Sequence, residues 1–405
     1  MPSPRARHIP QLLEIHAEDL AFLWGQRREV LDSPEHTLRD YANLNERIEA
    51  HLQGLLVASP AALCERLGAM LAAGGDRDDI FAASYAALRC NEPIATQQVV
   101  VEFSRAAGPA LAGLRDAMGL APPAPFADEL RRALEQAKPT TAASAAAALA
   151  NHQLLDAGSP QLAKLLLDED QAVCALAWQA TRLADVRVRQ QTPTRPYKRG
   201  LAHAQAPVRH AAWACAAWTG QAVAMSPLRE AAASGDRVAL QWLAVLGNAD
   251  DAQLLGKAAL AIDDPNERCA LLARYGHPVV LNALLRWIGG EDAALAQAAG
   301  EAFTRITGED IRGERRTLPV AAGADEFERE MAPLVWMPDA MKARDRFEQG
   351  RVRWAEGTRW HQGLRLDTEP TPETLRTLDL QARWDAAARA AMMGRALSAP
   401  PPICS

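Results

Sequence analysis

Apolar residues recur at three- and four-residue spacing along most of the chain, the period that places them on one face of an α-helix. Near the start, Leu12, Leu13, His16, Leu20, Leu23 and Trp24 form one stripe. Leu38, Tyr41, Leu44, Ile48, His51, Leu52 and Leu55 form a second. Between them, Ser33-Pro34-Glu35 has the form of a helix start, with Ser as the cap and Pro at the first position. The pattern predicts a helical hairpin over 1–59.

From 60 to 307, short helical stretches alternate with chain breakers. The segments opening at Asp168, Gln205, Gly235, Asp264 and Glu291 resemble one another. Each begins on an acidic, Gly or Pro turn and then packs small residues beside an apolar anchor such as Trp178, Trp213, Trp242 or Phe303. About eight helix pairs of about 31 residues fit this stretch, a period typical of helical solenoids. One helix pair cannot bury its own apolar face, so such a chain is stabilised by stacking on its neighbours.

The periodicity stops after Thr307. Residues 308–332 are rich in charge and Gly and read as a linker or long loop. A helix is predicted from about Asp339 to Gly350, a turn or short extended piece over Gly357–Leu366, and a final helix from Thr371 to near Gly394. The tail Ala399-Pro400-Pro401-Pro402 cannot be helical. The predicted fold is all-α: a HEAT-like helical-repeat solenoid at 60–307, an N-terminal helical hairpin at 1–59, and a linker with a C-terminal helical segment at 308–405.

Composition supports this and narrows the chemistry. The 405 residues include 84 alanines, and aromatics make up only 5%. Alanine is the best helix former, and its small side chain lets stacked helices approach closely. A net charge of −6 argues against a nucleic-acid polycation, and no apolar run reaches the length of a membrane span. The first ten residues lack the apolar stretch of a secretory signal. None of the six cysteines forms C-x-x-C, so they read as small buried hydrophobes in a reduced, cytoplasmic protein.

No catalytic motif stands out. His16-Ala17-Glu18 matches the H-x-E of zinc deaminases but lacks the required P-C-x-x-C, so His16 reads as a packed helix residue. His203 and His210 have no third ligand nearby, and no metal or cofactor is expected. No P-loop and no G-x-S-x-G is present.

Two clusters remain. The basic stretch Arg182, Arg187, Arg189, Arg195, Lys198, Arg199 and Arg209 is opposed only by Asp185. It can be a solvated loop, a dock for an acidic partner, or a nucleic-acid contact of the kind used by HEAT-like alkylated-base DNA glycosylases; a duplex would need phosphate contacts spread along many repeats. Trp336, Trp354, Trp360 and Trp384 lie among arginines near the C-terminus, where they can cap the array or form a partner surface. The candidate partner-binding residues are Arg187, Arg189, Arg195, Lys198, Arg199, Trp213, Trp218, Trp242, Trp354 and Trp360.

The segments His16–Trp24, Leu44–Leu55, Glu301–Gly308 and Trp354–Trp360 resemble an uncharacterised family of HEAT-like repeat proteins from Gram-negative bacteria, often encoded beside type VI secretion genes. That resemblance spans nearly the whole chain and supplies no catalytic residues. It implies a non-enzymatic scaffold or adaptor presenting a concave surface to a protein partner, such as a type VI secretion effector or spike component.

Overall fold

The computed structural model describes residues 10–188, 195–319, 323, 325–354, 358–366, 371–395 and 397–403. The hairpin helices are α1 (Pro10–Glu29) and α2 (Leu38–Leu55). Eight helix pairs follow among the described residues, as the periodicity predicts. They are α3 (Pro60–Ala72) with α4 (Arg77–Arg89), α5 (Pro93–Arg105) with α6 (Gly108–Leu120), α7 (Ala127–Gln136) with α8 (Pro139–Asn151), and α9 (Pro160–Leu165) with α10 (Gln171–Val188). Then come α11 (Tyr197–Leu201) with α12 (Ala206–Trp218), α13 (Met225–Ala233) with α14 (Arg237–Leu246), α15 (Ala252–Leu260) with α16 (Pro265–Tyr275), and α17 (Leu281–Ile288) with α18 (Ala293–Thr307). The remainder comprises β1 (Arg312–Thr317), α19 (Glu326–Glu330), β2 (Leu334–Pro338), α20 (Ala340–Gln349), α21 (Arg351–Trp354), β3 (Trp360–His361), β4 (Leu364–Arg365), α22 (Pro372–Thr377) and α23 (Leu380–Met392).

The fold is an all-α helical repeat. Its recurrent acidic and Ser turns have a plain cause: they are N-caps. Asp76, Asp236, Asp264 and Asp292 each accept a backbone N–H from the first turn of the helix that follows, and Ser59 and Ser159 do the same. The start of α2 departs from the sequence reading. Its cap is Thr37 rather than Ser33, in a reciprocal capping box with Asp40.

The chain divides into two compact units at boundaries other than the expected ones: Met1–Ala224 with Arg376–Ser405, and Met225–Leu375. The hairpin is not a separate domain, because α1 packs directly on α4. Trp24 stacks on Phe81 at 3.8 Å between ring centroids and donates from its indole N–H to Asp116 at 3.3 Å. The Asp116 carboxylate is fully buried and also takes Arg77 at 2.7 Å and Arg115 at 2.9 Å.

In the first unit the even-numbered helices α4, α6, α8, α10 and α12 pack in series, with odd-numbered helices outside them. Every residue from Thr141 to Ala150 in α8 is buried, and so is every residue from Ala211 to Trp218 in α12. In α8 eight of these ten residues are Ala or Leu, and their small or apolar side chains allow such close surroundings. Gly113 marks the tightest approach, since a Cβ there would strike the Arg77 carbonyl and Ile80 of α4.

In the second unit α14, α16 and α18 form the inner row. Within the expected linker 308–332, residues 312–317 form β1, which pairs antiparallel with β2, and residues 326–330 form α19. The hairpin rests on α18, where Gly300 leaves room for Pro338. The predicted final helix is two: α22, which spans the unit boundary, and α23, which packs on α12 in the first unit. Asp379 caps α23, and the Leu380 amide donates to the carbonyl of His36 at 2.7 Å.

Candidate peptide-binding face

The sequence-predicted residues fall into three groups. The tryptophans are core rather than surface: Trp213, Trp218, Trp242, Trp354 and Trp360 are all at most 7% exposed. Trp213 and Trp218 wedge α12 into its neighbours, and Trp354 meets Trp360 edge to face at 5.0 Å with the Arg353 guanidinium over both rings. Their large apolar area explains the burial, and a partner cannot reach them.

The basic stretch is mostly fastened to the chain itself. Arg195 is buried in a bidentate ion pair with Asp185, with its Nε donating at 2.8 Å, which makes it a structural group rather than a docking one. Arg209 donates to the carbonyls of His203 and Ala204, and Arg187 to that of Gln153. Arg199 reaches the carbonyl of Leu167 at 3.2 Å. Lys198, Arg187 and Arg199 keep exposed side chains, while Arg189 lies outside the described residues.

A site that sequence reasoning missed lies where the inner helices of the first unit end. Asn151, the last residue of α8, grips the main chain of Ile403 in both directions: the Ile403 N–H donates to Asn151 Oδ1 at 2.8 Å, and Asn151 Nδ2 donates to the Ile403 carbonyl at 3.0 Å. One helix along, Arg182 of α10 donates to the Pro401 carbonyl at 2.8 Å. Pro400 and Ile403 are buried, whereas Ala399 is exposed. Gly119 of α6 leaves the space in which the Asn151 amide sits, since a Cβ there would come within 3.0 Å of Nδ2. Asn in the last turn of an Ala-rich helix carries no sequence signal for this role, because its partner lies 252 residues away.

The inner helices of the second unit end differently. Arg359, just before β3, is 7% exposed and donates to the carbonyls of Ala244, Tyr275 and Gly247, with its guanidinium 4.9 Å from the Tyr275 ring. These carbonyls belong to the last turns of α14 and α16, where the helix dipole favours a cation. Gly276 and Gly308 close α16 and α18 with φ of 64° and 72°. They also let the β3–β4 hairpin approach, as Trp360 donates to the Gly276 carbonyl and Gln362 to that of Arg305.

Burial pushes the Cys215 and Cys269 thiols up to about 12 and lifts the Tyr197 hydroxyl far above its ordinary range. Cys174 and Cys215 are buried as expected, while Cys64 and Cys90 are half-buried. His16 packs under Gly54 with its Nδ1 3.3 Å from that of His51, and Glu18 points to solvent, so the H-x-E pair does not converge. Among the described residues no cluster of three His, Cys, Asp or Glu could hold a metal, and no helix is long and apolar enough to cross a membrane.

The fold thus defines a helical-repeat protein whose bound element is an extended strip of its own backbone. No protein-family description matches the chain, and comparison with curated proteins finds no relative.

Proposed function

We propose that this chain is a non-enzymatic scaffold that binds extended segments of partner proteins, and that it acts as an adaptor for type VI secretion, handling an effector or a spike component. The observation that carries the reading is the two-way grip of Asn151 on the Ile403 backbone, reinforced by Arg182 on Pro401. Main-chain recognition by side chains on repeat helices needs no reacting group. The type VI assignment rests on the sequence resemblance alone. A nucleic-acid role is weakened by the engagement of Arg195 and Arg209 within the chain, since a duplex requires many free phosphate contacts.

The test is affinity purification of the tagged full-length protein from its native host, with mass spectrometry of what co-purifies. Recovery of a secretion spike component or effector is the expected result. A clean monomer from a host with an active secretion system would end the adaptor reading.

A further inference from the structure

We infer that the face carrying Gly119 and Asn151 at the C-terminal ends of α6 and α8, together with Arg182 of α10, is a binding site for a proline-containing, extended segment of another protein, and that residues 400–403 of this chain occupy it in the free state. The inference rests on the scaffold reading and names the chemistry of the segment.

The chemistry follows from the contacts. Three consecutive prolines hold the backbone extended before it binds, so ordering it costs little. They also remove three N–H donors, which leaves carbonyls as the only main-chain groups to satisfy until Ile403. The site matches that pattern: a cation, Arg182, meets the Pro401 carbonyl, and Asn151 meets the first residue that again has both an N–H and a carbonyl. An amide is the side chain for the second task, because it donates and accepts at once. Pro400 and Ile403 supply the buried apolar contacts, one on each side of the polar grips. The fit is therefore to a segment of the form Pro-Pro-x-aliphatic, read mainly through its backbone.

The occupant is attached in a way that permits exchange. Its anchor, α23, is held independently: the Asp379 cap, the Leu380 amide on His36 and the Trp384 indole on the Leu31 carbonyl at 2.8 Å all lie before the tail begins. Met393, Gly394 and Ala399 between anchor and tail are exposed, and Gly394 has a φ of 81° that a side chain would resist. Releasing residues 400–403 breaks the contacts at Asn151 and Arg182 and leaves those of α23 intact. A tethered segment competes at an effective concentration on the order of millimolar, so a partner segment must bind more tightly or be presented in multiple copies.

The experiment uses the full chain carrying Ile403→Asp and a fluorescein-labelled, amidated peptide of residues 397–403, followed by anisotropy. The expected result is a dissociation constant at least roughly tenfold lower for Ile403→Asp than for wild type, because the tethered competitor is weakened. Adding Asn151→Ala should abolish that gain. Three results would each overturn the inference: a folded Ile403→Asp chain that binds the peptide no better than wild type, a gain that survives Asn151→Ala, or an Ile403→Asp chain that loses its helical circular dichroism. The last would make the tail a structural closure rather than an exchangeable ligand. Capture of a secretion partner alongside a null peptide result removes only this inference; peptide binding without any host partner removes only the adaptor reading.

Discussion

The two units finish the ends of their inner helices by opposite means. In the second, Arg359 is pushed among the final carbonyls of α14 and α16. In the first, Asn151 at the end of α8 and Arg182 within α10 hold a strip of backbone. In the second unit a side chain supplies partners to helix-terminal carbonyls, and in the first, helix side chains supply partners to the backbone of the tail. The two arrangements differ in what their loss would cost. A buried guanidinium with several acceptors is fixed by charge and geometry together, whereas a neutral amide on a backbone offers a grip that another backbone can take over. The first unit also uses a guanidinium, Arg182, but it meets one tail carbonyl, whereas Arg359 meets three.

The comparison is open to attack, most severely through Arg359. Arg359→Met keeps much of the volume but leaves the carbonyls of Ala244, Tyr275 and Gly247 without their donor. It should cost roughly 3 kcal/mol, seen by calorimetry as an earlier melting transition for the second unit. A melting profile like that of wild type would show that the arginine is dispensable and the contrast false.

Acid titration sharpens the same point. Burial alone would raise the Asp251 carboxyl, but the Arg229 guanidinium and the Asn248 N–H outweigh it and hold the group below its ordinary value. A depressed carboxylate stabilises the fold above its unfolded-state pKa, near 4, and that stabilisation is lost as pH falls through the folded value. Asp251→Asn should therefore cost about 1–2 kcal/mol at neutral pH, and its denaturation midpoint should converge with that of wild type toward pH 2. Parallel curves down to that pH would mean that Asp251 does not contribute in its charged form.

The smallest effect is expected at Asn151. Asn151→Ala removes two neutral hydrogen bonds at a half-buried site and should cost about 1 kcal/mol or less. A loss as large as that at Arg359 would place the tail among the structural elements.

Much of this architecture was legible in the residues. The eight helix pairs followed from stripe spacing and from Asp, Ser and Pro turns, because caps and propensity act within a few positions of the chain. The abundant Ala was tied to close packing, and α8 shows it, with every residue from Thr141 to Ala150 buried. The tryptophans were read as candidate surface because Trp is common at interfaces, but the same area that suits an interface suits a core. Arg195 was read as part of a free basic patch because its one acidic partner, Asp185, sits ten positions away and a sequence does not show that the two side chains meet.

By itself, the sequence determined what is local: which stretches of the repeat region are helical, most of the caps that start them and the repeat period. Tertiary structure alone decided which charges are buried in pairs, that 308–332 contributes a strand, that residues 376–403 return to the first unit, and that Asn151 meets Ile403. Those outcomes depend on contacts between residues far apart in the chain, and a side chain's role there is set by what the fold brings against it.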